Sequence, residues 1–257
     1  MSSDWPLILA YHHIVTHAPS RYTLDATSFE ARLDRMLHSG YKPLTLETAL
    51  AAGPFGSGSA APKTFTITFD DALESFYTLA IPVLRRLNLL AQTTLFVPTA
   101  FVGKDNAWSQ SESPGDRDAI ATDPSEAIMT WEQLADAAEA GVSIQSHGHR
   151  HLPMNKTEYD DALADSKASM NALHEHGFSP RYLALPFGWH SPEAKRAIAE
   201  AGFDAALSVT WGGRDRYEVR RIPIYGTDAA PMRWLKLSGR YFDTFDAAAA
   251  VLGRRRS

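Results

Sequence analysis

Short apolar runs alternate with helical segments along most of the chain, and this alternation limits the available folds more than any other feature. Such a pattern is typical of a parallel sheet covered by helices. Seven strands are predicted, at Leu7–Tyr11, Thr64–Phe69, Gln92–Val97, Val142–Ser146, Tyr182–Pro186, Asp204–Val209 and Val219–Ile224. Seven strands in 257 residues predict an α/β barrel, either complete or incomplete.

Local signals also predict five helices between the strands. They are expected at Thr27–Ser39, Glu74–Asn88, Thr130–Gly141, Glu158–Glu175 and Ser191–Gly202. Pro82 should kink or restart the second helix. Thr130 and Gln133 have the spacing of a capping box, and Ser191 is a cap residue followed by Pro192 in the first turn.

Two longer segments interrupt this pattern without ending it. Gly53–Pro62 is rich in small residues and proline and predicts a flexible loop, whereas Gly103–Pro124 predicts a polar surface insertion. The alternation of strands and helices continues beyond both segments. We therefore expect a single domain over residues 1–257.

Composition excludes several classes of function. The chain has no cysteine, which rules out disulfides and thiolate metal sites. Its formal net charge of -5 gives no electrostatic reason to expect nucleic acid, and we expect Arg254–Arg256 to be a solvated tail. No apolar run approaches the ~20 residues of a transmembrane helix. Met1–Pro6 lacks the pattern of a signal peptide, which predicts a cytoplasmic protein.

Polar and aromatic residues follow several of the predicted strands. In parallel α/β barrels the active site lies where the strands end at their C-terminal edge. Residues that are distant in sequence should therefore meet at one rim: His12 and His13, Asp70 and Asp71, His147, Pro186–His190 and Trp211.

Asp70–Asp71 and the pair His147 and His151 have the residue types of a hydrolytic metal site. A catalytic zinc ion usually has three protein ligands and keeps one position open. Two histidines four positions apart are expected on one face of a helical turn. Because adjacent carboxylates disfavour each other's ionisation, a cation on Asp71 would let Asp70 remain ionised as a base. Histidine and carboxylate ligands suit Zn²⁺, and Ni²⁺, Co²⁺ and Fe²⁺ are compatible.

Three motifs resemble those of the polysaccharide deacetylase family (carbohydrate esterase family 4, the NodB-homology domain). They are Thr68–Asp71, Ser146–His151 and Leu185–Gly188, and Met129–Gly141 is also similar to that family. The resemblance extends from residue 7 to about residue 224, which is nearly the whole chain.

The resemblance implies a single-domain α/β fold, a distorted (β/α)7 barrel, and one divalent metal ion. It implies an enzyme that removes the N-acetyl group from an N-acetylated sugar or glycan. In that family the first aspartate of the pair is the general base, which corresponds to Asp70. The metal ligands would be Asp71, His147 and His151.

The family's usual late general acid is absent, since no histidine follows His190. The early Tyr11–His12 pair instead resembles a subgroup that deacetylates β-linked N-acetylglucosamine polymers, in which an early Tyr-His supplies the acid. This resemblance favours His12 as the proton donor, with His190 as the rival. A third reading is that His12 is only a hydrogen-bonded residue at the rim.

The arginine motif that usually precedes the Pro186 turn is also replaced. Ala184 and Leu185 occupy those positions, and Arg181 lies at the edge of the strand. Arg221 is therefore the candidate partner of Asp70.

The substrate is less well specified by the sequence. Pro186, Phe187, Trp189 and Trp211 are candidate substrate-binding residues. The aromatic members could form walls for the apolar face of a pyranose, or they could simply pack at the rim. Two further hypotheses stay open: a hydrolase acting on a non-sugar amide or ureide, and a degenerate barrel that binds glycan without turnover.

Overall fold

The computed structural model describes residues 5–16, 22–52, 63–106, 126–209, 213, 215–242 and 244. The strands are β1 Leu7–Tyr11, β2 His13–Val15, β3 Thr23–Asp25, β4 Lys42–Pro43, β5 Thr64–Phe69, β6 Thr93–Val97, β7 Ser143–Ser146, β8 Tyr182–Ala184, β9 Ala205–Leu207 and β10 Ile222–Pro223. The α-helices are α1 Ala26–His38, α2 Leu46–Ala52, α3 Ile81–Arg86, α4 Trp131–Glu139, α5 Tyr159–Glu175, α6 Pro192–Glu200 and α7 Ala230–Leu237.

The main sheet consists of parallel strands in the order β10-β1-β5-β6-β7-β8-β9, and β4 pairs with the beginning of β5. Its two edges are joined by one segment of chain. Val219 pairs with Leu207 of β9, and Ile222 pairs with Leu9 of β1. The sheet therefore curls into a barrel of seven strands, with a seam that is only a few residues long.

Strand β5 illustrates why these segments form the barrel wall. All six of its residues are buried, so both of its faces lie in a core. Phe65, Ile67 and Phe69 belong to the apolar cluster that includes Phe29 of α1. The intervening threonines are also buried, and Thr68 satisfies its hydroxyl by donating to the Leu9 carbonyl at 2.8 Å. The alternation of side chains along a strand thus separates two cores.

The helix-boundary signals are confirmed. Thr130 and Gln133 form a complete capping box at the start of α4, and Ser191 accepts from the backbone N–H of Ala194 at the start of α6. Pro82 lies in the first turn of α3. A wider π-helical turn, Phe76–Ala80, precedes it without a break in the helical backbone, so the hydrogen-bonding pattern changes ahead of the proline and the helix does not restart there.

Several elements were not predicted. The parallel pair β2–β3, the two-residue β4 and the seven-residue α2 are too short for a periodic pattern to reveal them. Helix α7 was also missed; although it is amphipathic, its eight residues make only about two turns, which is too short for helical periodicity to stand out. The predicted strand Val219–Ile224 is reduced to β10 and the single bridge at Val219.

Residues 53–62 and 107–124, predicted as a loop and the larger part of an insertion, lie outside the described residues. Within the part of the chain that the structure describes, every helix is too short or too polar to cross a membrane.

Candidate active site

The carboxylate pair lies at the C-terminal end of β5. The backbone N–H of Asp70 continues the pairing with β1 by donating to the Tyr11 carbonyl at 3.0 Å. The next two residues, Asp71 and Ala72, adopt left-handed backbone conformations, with φ of 72° and 51°. Such conformations are unfavourable for residues other than glycine and persist where the surroundings enforce them. This turn directs the two carboxylates into different surroundings.

Asp70 is clamped by a buried arginine. Nη1 and Nη2 of Arg221 donate to the two carboxylate oxygens of Asp70 at 2.7 and 2.8 Å. Arg221 is itself held in place, because its Nε donates to the Ser208 carbonyl at 3.0 Å and its Nη1 to Thr68 Oγ1 at 3.1 Å. Burial raises the pKa of Asp70, but Arg221, His147 and His12 together outweigh this effect and leave that pKa below its usual value. Asp70 is therefore ionised at neutral pH.

Asp71 faces the two histidines instead. Its Oδ1 lies 3.3 Å from Nε2 of His147 and 3.4 Å from Nε2 of His151. Nδ1 of His147 lies 2.8 Å from the Ala184 carbonyl, which assigns the proton to Nδ1 and leaves Nε2 as the free lone pair. One atom from each of the three side chains lies within 4.8 Å of the others.

These three residues fit a divalent cation. Among the described residues, Oδ1 of Asp71 is buried and has no hydrogen-bond partner, although Nε2 of each imidazole lies within 3.4 Å of it. Burial of Asp71 raises its pKa, but the interaction with both imidazoles lowers it well below the usual value. A buried anionic oxygen without a donor is costly unless a cation neutralises it. Asp71, His147 and His151 could thus hold such an ion.

The expectation that His147 and His151 share a helical turn is wrong. Residues 147–151 form an irregular loop between β7 and α5. Gly148 and His151 both have left-handed backbone, with φ of 76° and 56°. The two imidazoles still converge, with ring centroids 4.8 Å apart. Their meeting therefore depends on how this loop is held rather than on helical periodicity.

Asp165 of α5 holds the loop, and sequence reasoning missed it. Its fully buried carboxylate accepts from the backbone N–H groups of His149 at 2.8 Å and Arg150 at 3.0 Å. A side chain at Gly148 would approach Oδ2 of Asp165 to 3.1 Å, so glycine permits this close contact. The one signal in the sequence was an acidic residue on the face of α5 that carries the buried Ala162 and Ser169.

We expect Asp165→Asn to weaken metal binding about 10- to 100-fold, the usual effect of losing a group that orients metal ligands. Two backbone N–H groups now donate to the two carboxylate oxygens of Asp165. In the asparagine variant an NH₂ group, itself a donor, would replace one of these acceptor oxygens. Competition titration with a chelating dye would measure the change. Asp161→Asn is the matched control, because Asp161 lies one turn earlier on α5 and is exposed, and its ion pair within the described chain is a long one, 3.8 Å from Arg150. Equal affinities in both variants would contradict this role.

The three candidate histidines outside the ligand set lie in different places. Nε2 of His12 is 3.8 Å from Oδ2 of Asp70. His13 instead forms a close contact with Glu126, and Nε2 of His190 lies 3.6 Å from Oε2 of Glu218. The structure therefore brings His12 to the carboxylate pair, whereas His190 lies beside Glu218, which also pairs with Lys195.

The turn after β8 carries the aromatic candidates. Phe187 has left-handed backbone, with φ of 61°, and its ring meets that of His151 edge-on at 4.9 Å. Trp189 lies 5.2 Å from Phe187, and both rings are half-buried. Pro186 is buried, and Trp211 lies outside the described residues. Phe187 and Trp189 thus form an aromatic edge beside the histidine pair.

The fold and the site together define a class: a seven-stranded parallel barrel with an Asp-His-His cluster and an arginine-clamped aspartate at its rim. A model of the polysaccharide deacetylase family matches residues 57–206, more than half of the chain. The chain belongs to this family.

Individual relatives agree with that assignment. The chain is 25% identical over 225 residues, 84% of its length and 70% of the relative's, to YxkH of Bacillus subtilis, itself only provisionally described as a polysaccharide deacetylase. The deacetylase PplD of Streptococcus pyogenes in complex with acetate superposes with a TM-score of 0.72 and 21% identity, covering 91% of this chain and 97% of that one. IcaB from Ammonifex degensii gives 0.70 and 21%, covering 93% and 97%. The prediction of a (β/α)7 barrel is confirmed.

Proposed function

We propose that this protein is a divalent-metal-dependent hydrolase that removes the N-acetyl group from an N-acetylated sugar or glycan. One observation carries the proposal: two adjacent carboxylates have opposite surroundings. Asp70 is neutralised by a bidentate arginine, whereas Asp71 directs a partnerless oxygen toward two imidazole nitrogens. That division fits one carboxylate that moves protons and another that binds a cation.

Asp71, His147 and His151 would hold the ion. When bound, a divalent ion at this position supplies Lewis acidity toward the amide carbonyl and acidifies water near neutral pH. His147 is oriented for this task by its contact with the Ala184 carbonyl. Zn²⁺ suits the ligands best, and Ni²⁺, Co²⁺ and Fe²⁺ remain compatible.

Asp70 would act as the general base. Its carboxylate is ionised, precedes the ligand Asp71 in the chain, and is held rigidly by Arg221. Arg221 would take the role of the arginine that the family usually supplies before the Pro186 turn, because it forms a bidentate contact with Asp70. We infer that it positions Asp70 and keeps it ionised.

His12 would protonate the departing amine. It lies beside Asp70 at the rim, and its ring packs against that of Tyr22 at 5.7 Å. The aromatic edge of Phe187 and Trp189 would contact the apolar face of the sugar ring. The acetate bound to PplD supports an acetylated substrate for this family member as well.

Replacing His12 by alanine should reduce kcat by about two orders of magnitude or more, since proton donation to a poor leaving group is lost. A pH–rate profile should also lose its alkaline limb. His13→Ala and His190→Ala are the controls, because their side chains face Glu126 and Glu218. If the His190 variant loses most of its kcat and the His12 variant keeps the alkaline limb of the pH–rate profile, His190 is the proton donor.

Acetate release across a panel of amides tests the substrate class. β-Linked N-acetylglucosamine oligomers should be hydrolysed, and an aryl acetamide and a cyclic ureide should be much poorer substrates. Preference for the ureide would favour the amidohydrolase alternative. Absence of turnover on every acetylated compound, with metal bound, would favour a glycan-binding barrel.

A further inference from the structure

A second cavity lies on the outer wall of the barrel, between α1 and α7. Its volume is about 530 Å³, and none of its lining residues belongs to the candidate active site. It is lined by residues of α1 and α7 and by Lys63, which directly precedes β5. The cavity is therefore separate from the site at the strand ends.

Its charged side chains are all cationic. Arg32, Arg35, Lys63 and Arg233 line the cavity, and no carboxylate does. In the described part of the chain, none of these four side chains forms a salt bridge: Lys63 donates to the Ser39 carbonyl and Arg233 to the Asp228 carbonyl. Burial is the main cause of the lowered pKa of Arg32; the Arg233 cation acts in the same direction, and Asp228 and Asp25 act against it. An anion bound in the cavity would reduce the remaining repulsion between the two arginines.

The rim of the cavity is apolar and exposed. Trp234 of α7 lines it with 59% of its surface accessible, and Met232 on the same helix is 40% accessible. They are the exposed large hydrophobic residues of the described chain. Met36, Tyr41 and Leu237 form the inner wall. An aromatic residue flanked by arginines is typical of surfaces that lie at the boundary of a lipid bilayer.

We propose that the α1–α7 cavity binds the anionic head group of a phospholipid and attaches this face of the barrel to an anionic membrane surface. The phosphate would lie among the four cations, while Trp234 and Met232 enter the interfacial layer. A free phosphate would satisfy the cations but would leave the two apolar side chains exposed. A deacetylated glycan would carry amines, which the cationic wall repels.

Vesicle co-sedimentation with the full chain tests this proposal. Binding is expected to vesicles containing phosphatidylglycerol and not to pure phosphatidylcholine, and it should weaken as salt is raised. Arg35→Gln combined with Lys63→Gln should reduce the partition coefficient roughly thirtyfold, since each cation near an anionic surface contributes about fivefold. Both residues are exposed, so the fold and deacetylation of a soluble substrate should be unchanged.

The matched control is Arg85→Gln with Lys167→Gln, which removes two exposed cations from α3 and α5 and should retain binding. Trp234→Phe should abolish quenching by brominated lipids that the unmodified chain shows. Equal loss of vesicle binding in both double variants would show that binding depends on the net charge of the protein and would contradict a specific site in the α1–α7 cavity. Equal affinity for glycerophosphate and for vesicles would contradict membrane attachment and would indicate that the cavity binds a soluble anion.

Discussion

Replacing His147 or His151 by alanine should remove the bound metal and reduce deacetylation to the background rate, with the barrel still folded. Each imidazole would contribute one of three ligands, the third being Asp71, and the remaining two would not match the affinity of three. The loss should be the largest of any single substitution, because one change removes the Lewis acid. Metal content and acetate release would be measured on the same preparation.

His149→Ala is the matched control for this experiment. His149 lies in the same loop, but its Nδ1 faces Thr99 Oγ1 at 2.9 Å instead of Asp71. Its replacement should cost about 1 kcal/mol of stability through the lost hydrogen bond and should leave metal bound. Near-full metal occupancy in a His147→Ala, His151→Ala double variant would contradict the ligand assignment.

Asp70→Asn should keep the metal and lower kcat by roughly two to four orders of magnitude, the usual contribution of a general base. An amide of the same shape cannot accept the proton, although it can still meet Arg221. The substitution leaves Arg221 buried without its counter-ion, which costs about 3–5 kcal/mol. Thermal unfolding must therefore be recorded, and rates compared at a temperature where both proteins are folded.

Asp71→Asn provides the contrast. It should lose metal affinity as well as rate, because Asp71 would supply a ligand oxygen. If the two variants bind metal equally well, the assignment of Asp70 as general base and Asp71 as metal ligand is wrong. Adding excess metal should partly rescue the Asp71 variant and should not rescue the Asp70 variant.

The barrel could be predicted because its strands are regular. In β5, six consecutive buried residues end at Asp70, so a local apolar run located both the strand and the rim residue. The same reasoning placed β1, β6, β7, β8 and β9 within one or two residues of their bounds. Helix caps were equally local, as the Thr130–Gln133 box demonstrates.

The geometry of the site depended on contacts that no local pattern contains. Arg221 and Asp70 are 151 positions apart, and only family resemblance suggested their pairing. The loop that contains His147 and His151 includes residues with left-handed backbone and is held by Asp165 of the following helix. The prediction that the two imidazoles converge was therefore correct, but the helical spacing from which it was argued was wrong. The ligand roles, the proton donor and a cytoplasmic location stay predictions.

Metal titration of the stripped protein tests the central claim most directly. The protein would be freed of metal with a chelator, titrated with Zn²⁺, and assayed for acetate release from a β-linked N-acetylglucosamine oligomer. We expect acetate release to rise in proportion to bound metal, to saturate at one ion per chain, and to disappear when the chelator is restored. Full acetate release by protein that contains no metal would contradict a metal site at Asp71, His147 and His151.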